Sequence, residues 1–539
     1  MTALSIPRPE TVVRPVDQET AQSLLSKNRS SEIFLAVVGP VGSGSSKICL
    51  YIQQAAKAAG YEVIQIKISD IIRTAATSRK LVVPPVSPKT LDSVVAMQDL
   101  GDQLRETDSA ALARMTLDRI AEERARLMGI SYTGGQAVQP DQKKRAYVID
   151  SLRHPAEVQL LRRAYASSFA LVGVVCEQEV RRKRITEKYF LKPTWGDPMT
   201  SSRVSTFINR DADDGASKHG QHVTDAFHQS DFFVDNTADD GSPEQRGVID
   251  ELGRLIDIIT HSRIVRPTIA ETAMHHAHSA RVRSACLSRQ VGAALVQSDG
   301  TVIATGTNEA PRAGGGVYGE SEGDDPDHRC AFHPQGAFCR STKQQNDIVD
   351  ELIASVPELA QIADQTALTA TIKRTRLGQL VEFSRAVHAE MDALVSAARS
   401  GVSTVGTKLF VTTFPCHYCA RHIVSAGVYE VQYIEPYPKS LALKLHEDAI
   451  ETNPAVWVPP GLRRDDPPKD GEEVTAGKVL FQPFVGIAPR LYIKAFEQTR
   501  QLKDKLTGDI KITPPDWGDE FSSYVVAYPD LEAKLSLQP

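Results

Sequence analysis

The stretch HAEMDALVSAARSGVSTVGTKLFVTTFPCHYCARHIVSAGVYEVQYI, residues 388–434, decides how this chain reads. Its apolar periodicity predicts a helix over 388–399, a strand over Lys408–Thr413, a helix over 417–426 and a strand over Glu430–Ile434. Helices alternating with apolar strands imply a layered α/β sheet. The reactive groups fall where those helices begin. His388 opens the first helix, and Cys416 and Cys419 open the second, so two helix N-termini aim at one spot. Helix dipoles and a metal both favour thiolate over thiol there. Pro415 suits a first helical position, where a missing N–H costs nothing. One imidazole and two thiolates make three ligands, which leaves a tetrahedral zinc with an open position for water. Zinc lowers the pKa of such a water to roughly 7, so hydroxide exists at neutral pH. Glu390, two residues past the histidine, is free to take the water proton and pass it on. A structural zinc knuckle would more often offer four protein ligands and would have no use for Glu390.

Length and composition bound the rest. At 539 residues the chain is too long for one core, and two domains are expected. Apolar content of 41% and charged content of 24% are ordinary for globular protein. A net charge of −5 does not mark the chain as a polyanion binder. The sequence contains no continuous apolar run of membrane-spanning length, and the polar N-terminus is unlike a secretory signal. Seven cysteines, odd in number and unevenly spread, fit metal ligation in a reducing cytoplasm better than a disulfide framework.

Residues 1–30 read as a flexible arm and 31–260 as a first domain. Ile33–Val38 is a short continuous apolar run, the pattern of a strand buried on both faces. It runs into a glycine-rich loop, Gly39–Ser46, and then a helix through Ala58. Further strands are expected at Glu62–Ile68, Arg145–Ile149, Phe169–Cys176 and Asp231–Asp235. This domain resembles the P-loop nucleotide kinases. Gly39, Gly42 and Gly44 would bring backbone N–H groups to phosphate, Ser46 would reach a magnesium ion, and Asp150 at a strand end would hold it. Ser45, however, stands where the loop lysine belongs, and Lys47 is one residue late. The basic run Arg181–Arg184 resembles a kinase lid, although by itself it reads as a solvated helix face. A nucleotide-binding sensor, a working kinase and a structural remnant all stay open for this half.

Residues 245–285 read as helical, and the piece from Ile269 to Cys286 opens a second domain covering 261–500. Strands are expected at Gly292–Gln297, Thr301–Thr307 and Val479–Phe484, with an insertion at about 312–384 and an irregular excursion at 451–475. Residues 501–539 read as a tail. Cys286, Cys330, His333 and Cys339 have the types and spacing of a second, structural zinc site, and free cysteines with a surface histidine fit equally. His275, His276 and His278 read as packing or surface residues. Thr413, just ahead of the metal segment, offers a backbone carbonyl to a departing amino group.

Residues 388–450, together with LSRQVGAALVQSDGTVIATGTNEAPR at 287–312, resemble the deoxycytidylate deaminase family. The resemblance implies an α/β/α cytidine-deaminase-like domain that hydrolyses the 4-amino group of a deoxycytidine nucleotide with zinc. It also implies that Asn308 holds the deoxyribose and that Tyr437 and Lys439 meet the phosphate. The pairing with a P-loop domain, and VLFQPFVGIAPRLY at 479–492, resembles the bacterial anti-phage dCTP deaminases. That implies action on dCTP or dCMP, depletion of dCTP during infection and a homo-oligomer, with an inhibitory RNA or protein partner left open. Two rivals remain. One is a nucleic-acid cytidine deaminase, disfavoured by the acidic balance and the lack of interleaved basic and aromatic residues. The other is a nucleotide-responsive switch in which deamination is accessory.

Overall fold

A computed structural model describes residues 29–212, 219–238, 241–319, 327–333, 336–375, 377, 383–437, 440–461, 477–511, 521 and 528–536. Two six-stranded sheets organise them. The first contains β1 (Glu32–Val38), β2 (Glu62–Lys67), β3 (Arg145–Asp150), β4 (Phe169–Val175) and β5 (Phe232–Asp235). These five run parallel in the order β5-β4-β1-β3-β2, with Phe34 opposite both Tyr147 and Phe169. Every residue of β1 is buried, as a parallel strand covered on both faces requires. Alternate residues feed opposite layers. Phe34, Ala36 and Val38 enter one core, and Ile33, Leu35 and Val37 enter the other. Helix α1 (Ser45–Ala58) leaves β1 through the glycine-rich loop and buries Ile48, Cys49 and Ile52.

The second sheet is built from β6 (Gly292–Val296), β7 (Val302–Thr307), β8 (Lys408–Thr413), β9 (Glu430–Glu435), β10 (Ile450–Glu451) and β11 (Val479–Pro483). Its order is β10-β11-β9-β8-β6-β7. The β7-β6-β8 half is antiparallel and the β8-β9-β11-β10 half is parallel. The strand expected at Val479–Phe484 is β11, which pairs parallel with β9 and β10. The helical reading of 245–285 resolves into two helices, Pro243–Thr260 and Ile269–Arg281. The break is set by His261 in the left-handed region and by Pro267 before the Thr268 N-cap.

The sheets are joined rather than strung on a linker. With two residues between, β11 is followed by β12 (Gly486–Ile487), which pairs antiparallel with β5 at the edge of the first sheet. Ile487 donates its N–H to Glu271 at 2.7 Å. Glu271 is buried and is held at both oxygens by Arg254, each at 2.7 Å. One apolar cluster runs from Phe34 and Tyr147 in the first half to Ala294, Val296 and Phe410 in the second. The segment read as a tail also docks. In helix Tyr528–Leu535, Glu532 pairs with buried Arg124 at 2.6 Å, and Arg124 also binds Glu32 at 2.8 Å. A buried cation is tolerable because both carboxylates and the hydroxyls of Tyr528 and Tyr165 complete the network. No helix among the described residues is long and apolar enough to cross a membrane.

Candidate metal centre

Two close helix–sheet approaches position the site. Helix α2 (Ala389–Arg399) lies over β6 and β7, sharing a core with Ala293, Leu295, Leu409 and Val411. Glycine at 306 permits this, since a Cβ there would sit 2.1 Å from the Ala389 carbonyl oxygen. On the other sheet face, helix Ile269–Arg281 comes as close at Gly292, where a Cβ would lie 2.0 Å from the Ala277 oxygen. Helix α3 (His417–Ser425) follows β8 and inserts Cys419, Ala420 and Ile423 into the same core as α2. His388 is the N-cap of α2 and Cys416 the N-cap of α3. Both helix starts therefore deliver their ligand groups to one point, as the sequence suggests.

Nδ1 of His388 lies 3.4 Å from Cys416 Sγ and 3.3 Å from Cys419 Sγ. The three ligand atoms lie within 4.8 Å of one another, the one such group of three among the described residues. The thiol of Cys419, hydrogen-bonded to Cys416, and the facing His388 bring the Cys416 sulfur down to about 4. In return the hydrogen bond to Cys416 holds the His388 imidazole up at about 9, and the Cys419 thiol is pushed well up. Two sulfurs and one imidazole nitrogen crowded this closely repel or share protons unless a soft cation sits among them. That donor set fits a zinc ion with a fourth position to spare. Glu390, in the first turn of α2, is buried, and burial pushes its carboxyl up to about 7. A carboxyl group poised there exchanges protons readily at neutral pH.

The neighbouring residues have partners of their own. Asn308 spends both ends of its amide on the loop before β6, donating to the Arg289 carbonyl and accepting from Val291 N–H, each at 2.6 Å. Val387 N–H reaches the Glu309 carbonyl at 2.9 Å, which ties the segment after β7 to the start of the metal segment. Thr413 donates its hydroxyl to Glu435 at 3.1 Å, and Phe414 N–H bonds the Glu435 carbonyl at 2.7 Å. Tyr437 is half-buried, and burial pushes its phenol up. Lys439 lies outside the described residues. Glu435, Arg281 and Arg289 escape a reading by motif. Their signal is only that Glu435 ends an apolar strand and opens the Glu-Pro-Tyr-Pro stretch.

The second metal set does not assemble. Cys286, Cys330, His333 and Cys339 form no ligand group among the described residues. His333 Nε2 lies 3.0 Å from the Arg340 guanidinium, and Cys339 Sγ lies 3.6 Å from the Ser288 hydroxyl.

The loop Gly39–Ser46 is met by its own chain. Val41 N–H donates to Asp211 at 2.7 Å, and Asp211 pairs with Arg153 at 2.7 Å. Asn236 donates to the Ser43 carbonyl at 2.7 Å, Ser43 and Ser45 hydroxyls lie 3.2 Å apart, and Ser46 donates to Asp150 at 3.2 Å. Gly42 and Gly44 adopt φ of 82° and 83°, and a Cβ on Gly44 would press on Asn236 at 2.3 Å. Gly39 is packed against Ser43, Ser45 and Val174.

Comparison with known proteins places the metal segment. Residues 267–435 match the model of the cytidine and deoxycytidylate deaminase zinc-binding region. The deoxycytidylate deaminase of Enterobacteria phage T4 is 26% identical over 171 residues, covering 32% of this chain and 80% of that protein. Among solved structures, the dCMP deaminase of cyanophage S-TIM5, determined with dCMP and dUMP, is 24% identical. It covers 34% of this chain and 93% of its own, with a TM-score of 0.21. A gluconokinase from Sinorhizobium meliloti 1021 is 17% identical, covering 43% of this chain and 98% of its own, also with a TM-score of 0.21.

Proposed function

We propose that this protein is a zinc-dependent deaminase of deoxycytidine nucleotides, converting dCTP or dCMP to the deoxyuridine nucleotide with release of ammonia. One observation carries the reading. His388, Cys416 and Cys419 converge beside buried Glu390, inside the segment that matches a deaminase zinc-binding region. Zinc held by that trio would lower the pKa of a coordinated water to roughly 7 and supply a nucleophile at neutral pH. Glu390 holds and moves the proton, from the attacking water to the ring nitrogen and then to the leaving amine. Its burial keeps bulk water from competing for that proton. Loss of the amino group turns the 4-amino pyrimidine into a 4-oxo pyrimidine, so atoms balance with one water in and one ammonia out.

In this reading the enzyme depletes dCTP during phage infection, and the N-terminal half is a nucleotide-responsive module rather than a kinase. The missing loop lysine at Ser45 supports the second point, as does the Asp211 carboxylate on the loop N–H. The test is direct. Zinc-loaded protein is incubated with dCMP, dCTP and deoxycytidine in turn, and ammonia and uracil product are measured. Release from at least one nucleotide is expected, and release from none refutes the reading.

A further inference from the structure

At the end of β9 one carboxylate holds two guanidiniums. Buried Glu435 receives Arg281 at 3.2 Å and Arg289 at 3.4 Å. Thr413, the last residue of β8 and three before Cys416, donates its hydroxyl to the same carboxylate at 3.1 Å. Two cations against one anion leave this trio with an excess of positive charge beside the strand that delivers a metal ligand. Arg289 is the more open of the two, 46% exposed against 31%, and its contact with Glu435 is the longer. Its outer N–H groups therefore remain able to meet a second anion. Arg289 precedes β6, which runs antiparallel to β8 with Ala293 opposite Val411, so its loop lies at the sheet end where β8 leads to Cys416.

The main chain under Arg289 is also fixed. The Asn308 amide grips Arg289 O and Val291 N–H, each at 2.6 Å, so the asparagine acts through this loop. A pre-aligned guanidinium loses little freedom on meeting an anion, and its planar fork matches two phosphate oxygens at once.

We propose that Arg289, seconded by Arg281 and positioned by Asn308, is the subsite for the 5′-phosphate of the deoxycytidine nucleotide. This rests on the deaminase reading above and names how that site tells a nucleotide from its nucleoside. Glu435 holds the two arginines apart and in place until the phosphate arrives.

The test compares kcat/KM for dCMP with kcat/KM for deoxycytidine, using full-length zinc-loaded protein and its Arg289→Ala variant. A lost charge-assisted hydrogen bond predicts that the ratio falls by about 100-fold. Arg289→Lys restores part of it, because the charge returns without the fork. Arg281→Ala lowers the ratio less. Calorimetric binding of dCMP and deoxycytidine to the Glu390→Gln protein, with and without Arg289→Ala, should show the same loss confined to the nucleotide. A ratio unchanged in Arg289→Ala, or an equal fall for both substrates, overturns the proposal. So does equal Arg289 dependence in a cytosine-bearing DNA strand that is deaminated faster than free nucleotide. If wild-type protein releases no ammonia from any substrate, the deaminase reading fails. Calorimetry then still decides the subsite, and equal affinity for dCMP and deoxycytidine overturns it.

Discussion

The two loop-and-helix sites of this molecule are built from similar parts and finished differently. In the first half, β1 runs through glycines into α1, and the loop groups are answered from within by Asp211, Asn236, Arg153 and Asp150. In the second, β8 runs through Pro415 into α3, and its polar atoms face one another across a gap of 3.3 to 3.4 Å. A loop that satisfies its own donors can stand as a structural joint. A cluster whose donors have mainly each other calls for a ligand from outside, because buried polar groups left unpaired are costly. The two loops differ in backbone too, left-handed at Gly42 and Gly44 in the first and extended at Cys416 in the second.

The largest effect should come from cutting the second site. Cys419→Ala removes a ligand from a buried trio, so bound zinc should vanish by metal analysis and deamination with it. Retention of one tightly bound zinc per chain would break the comparison. Gly306→Ala comes next. Its Cβ would overlap the Ala389 oxygen and the Ala393 nitrogen, at 2.1 and 2.4 Å, and so lift α2 from the sheet. Overpacking of this kind should cost about 3 kcal/mol in urea unfolding. Turnover should fall too, since α2 carries His388 and Glu390. Asp211→Ala should act on the first half alone. It leaves Arg153 and the Val41 N–H without their carboxylate, at a cost of about 3 kcal/mol in stability. Bound zinc should not change. A loss of zinc in Asp211→Ala would show that the halves are coupled more tightly than their loops suggest.

Much of this was legible in the sequence, and the reasons for the misses are physical. Strands β1, β3 and β4 announce themselves because parallel strands covered on both faces must be continuously apolar. The metal trio is legible because ligands at helix starts leave a short, fixed spacing. Gly306 and Gly292 were hidden in plain strand pattern, since only the packed helices reveal why no side chain fits there. Asn308 illustrates a different limit. A motif can mark the position, but only the folded chain shows that both ends of its amide are already bound to backbone. Helix Tyr528–Leu535 escaped because its anchor is a charged residue, Glu532, that pairs with Arg124 some 408 positions away. No local pattern predicts a partner at that distance. β12 is two residues long and has no signature, yet it joins the sheets.

The most direct measurement is zinc content and single-turnover deamination of dCMP and dCTP by wild-type and Glu390→Gln proteins side by side. A proton-transfer role for Glu390 predicts that the variant keeps its zinc and loses turnover by about a thousandfold. A variant that deaminates as fast as wild type, or wild-type protein that binds no zinc through this trio, would contradict it.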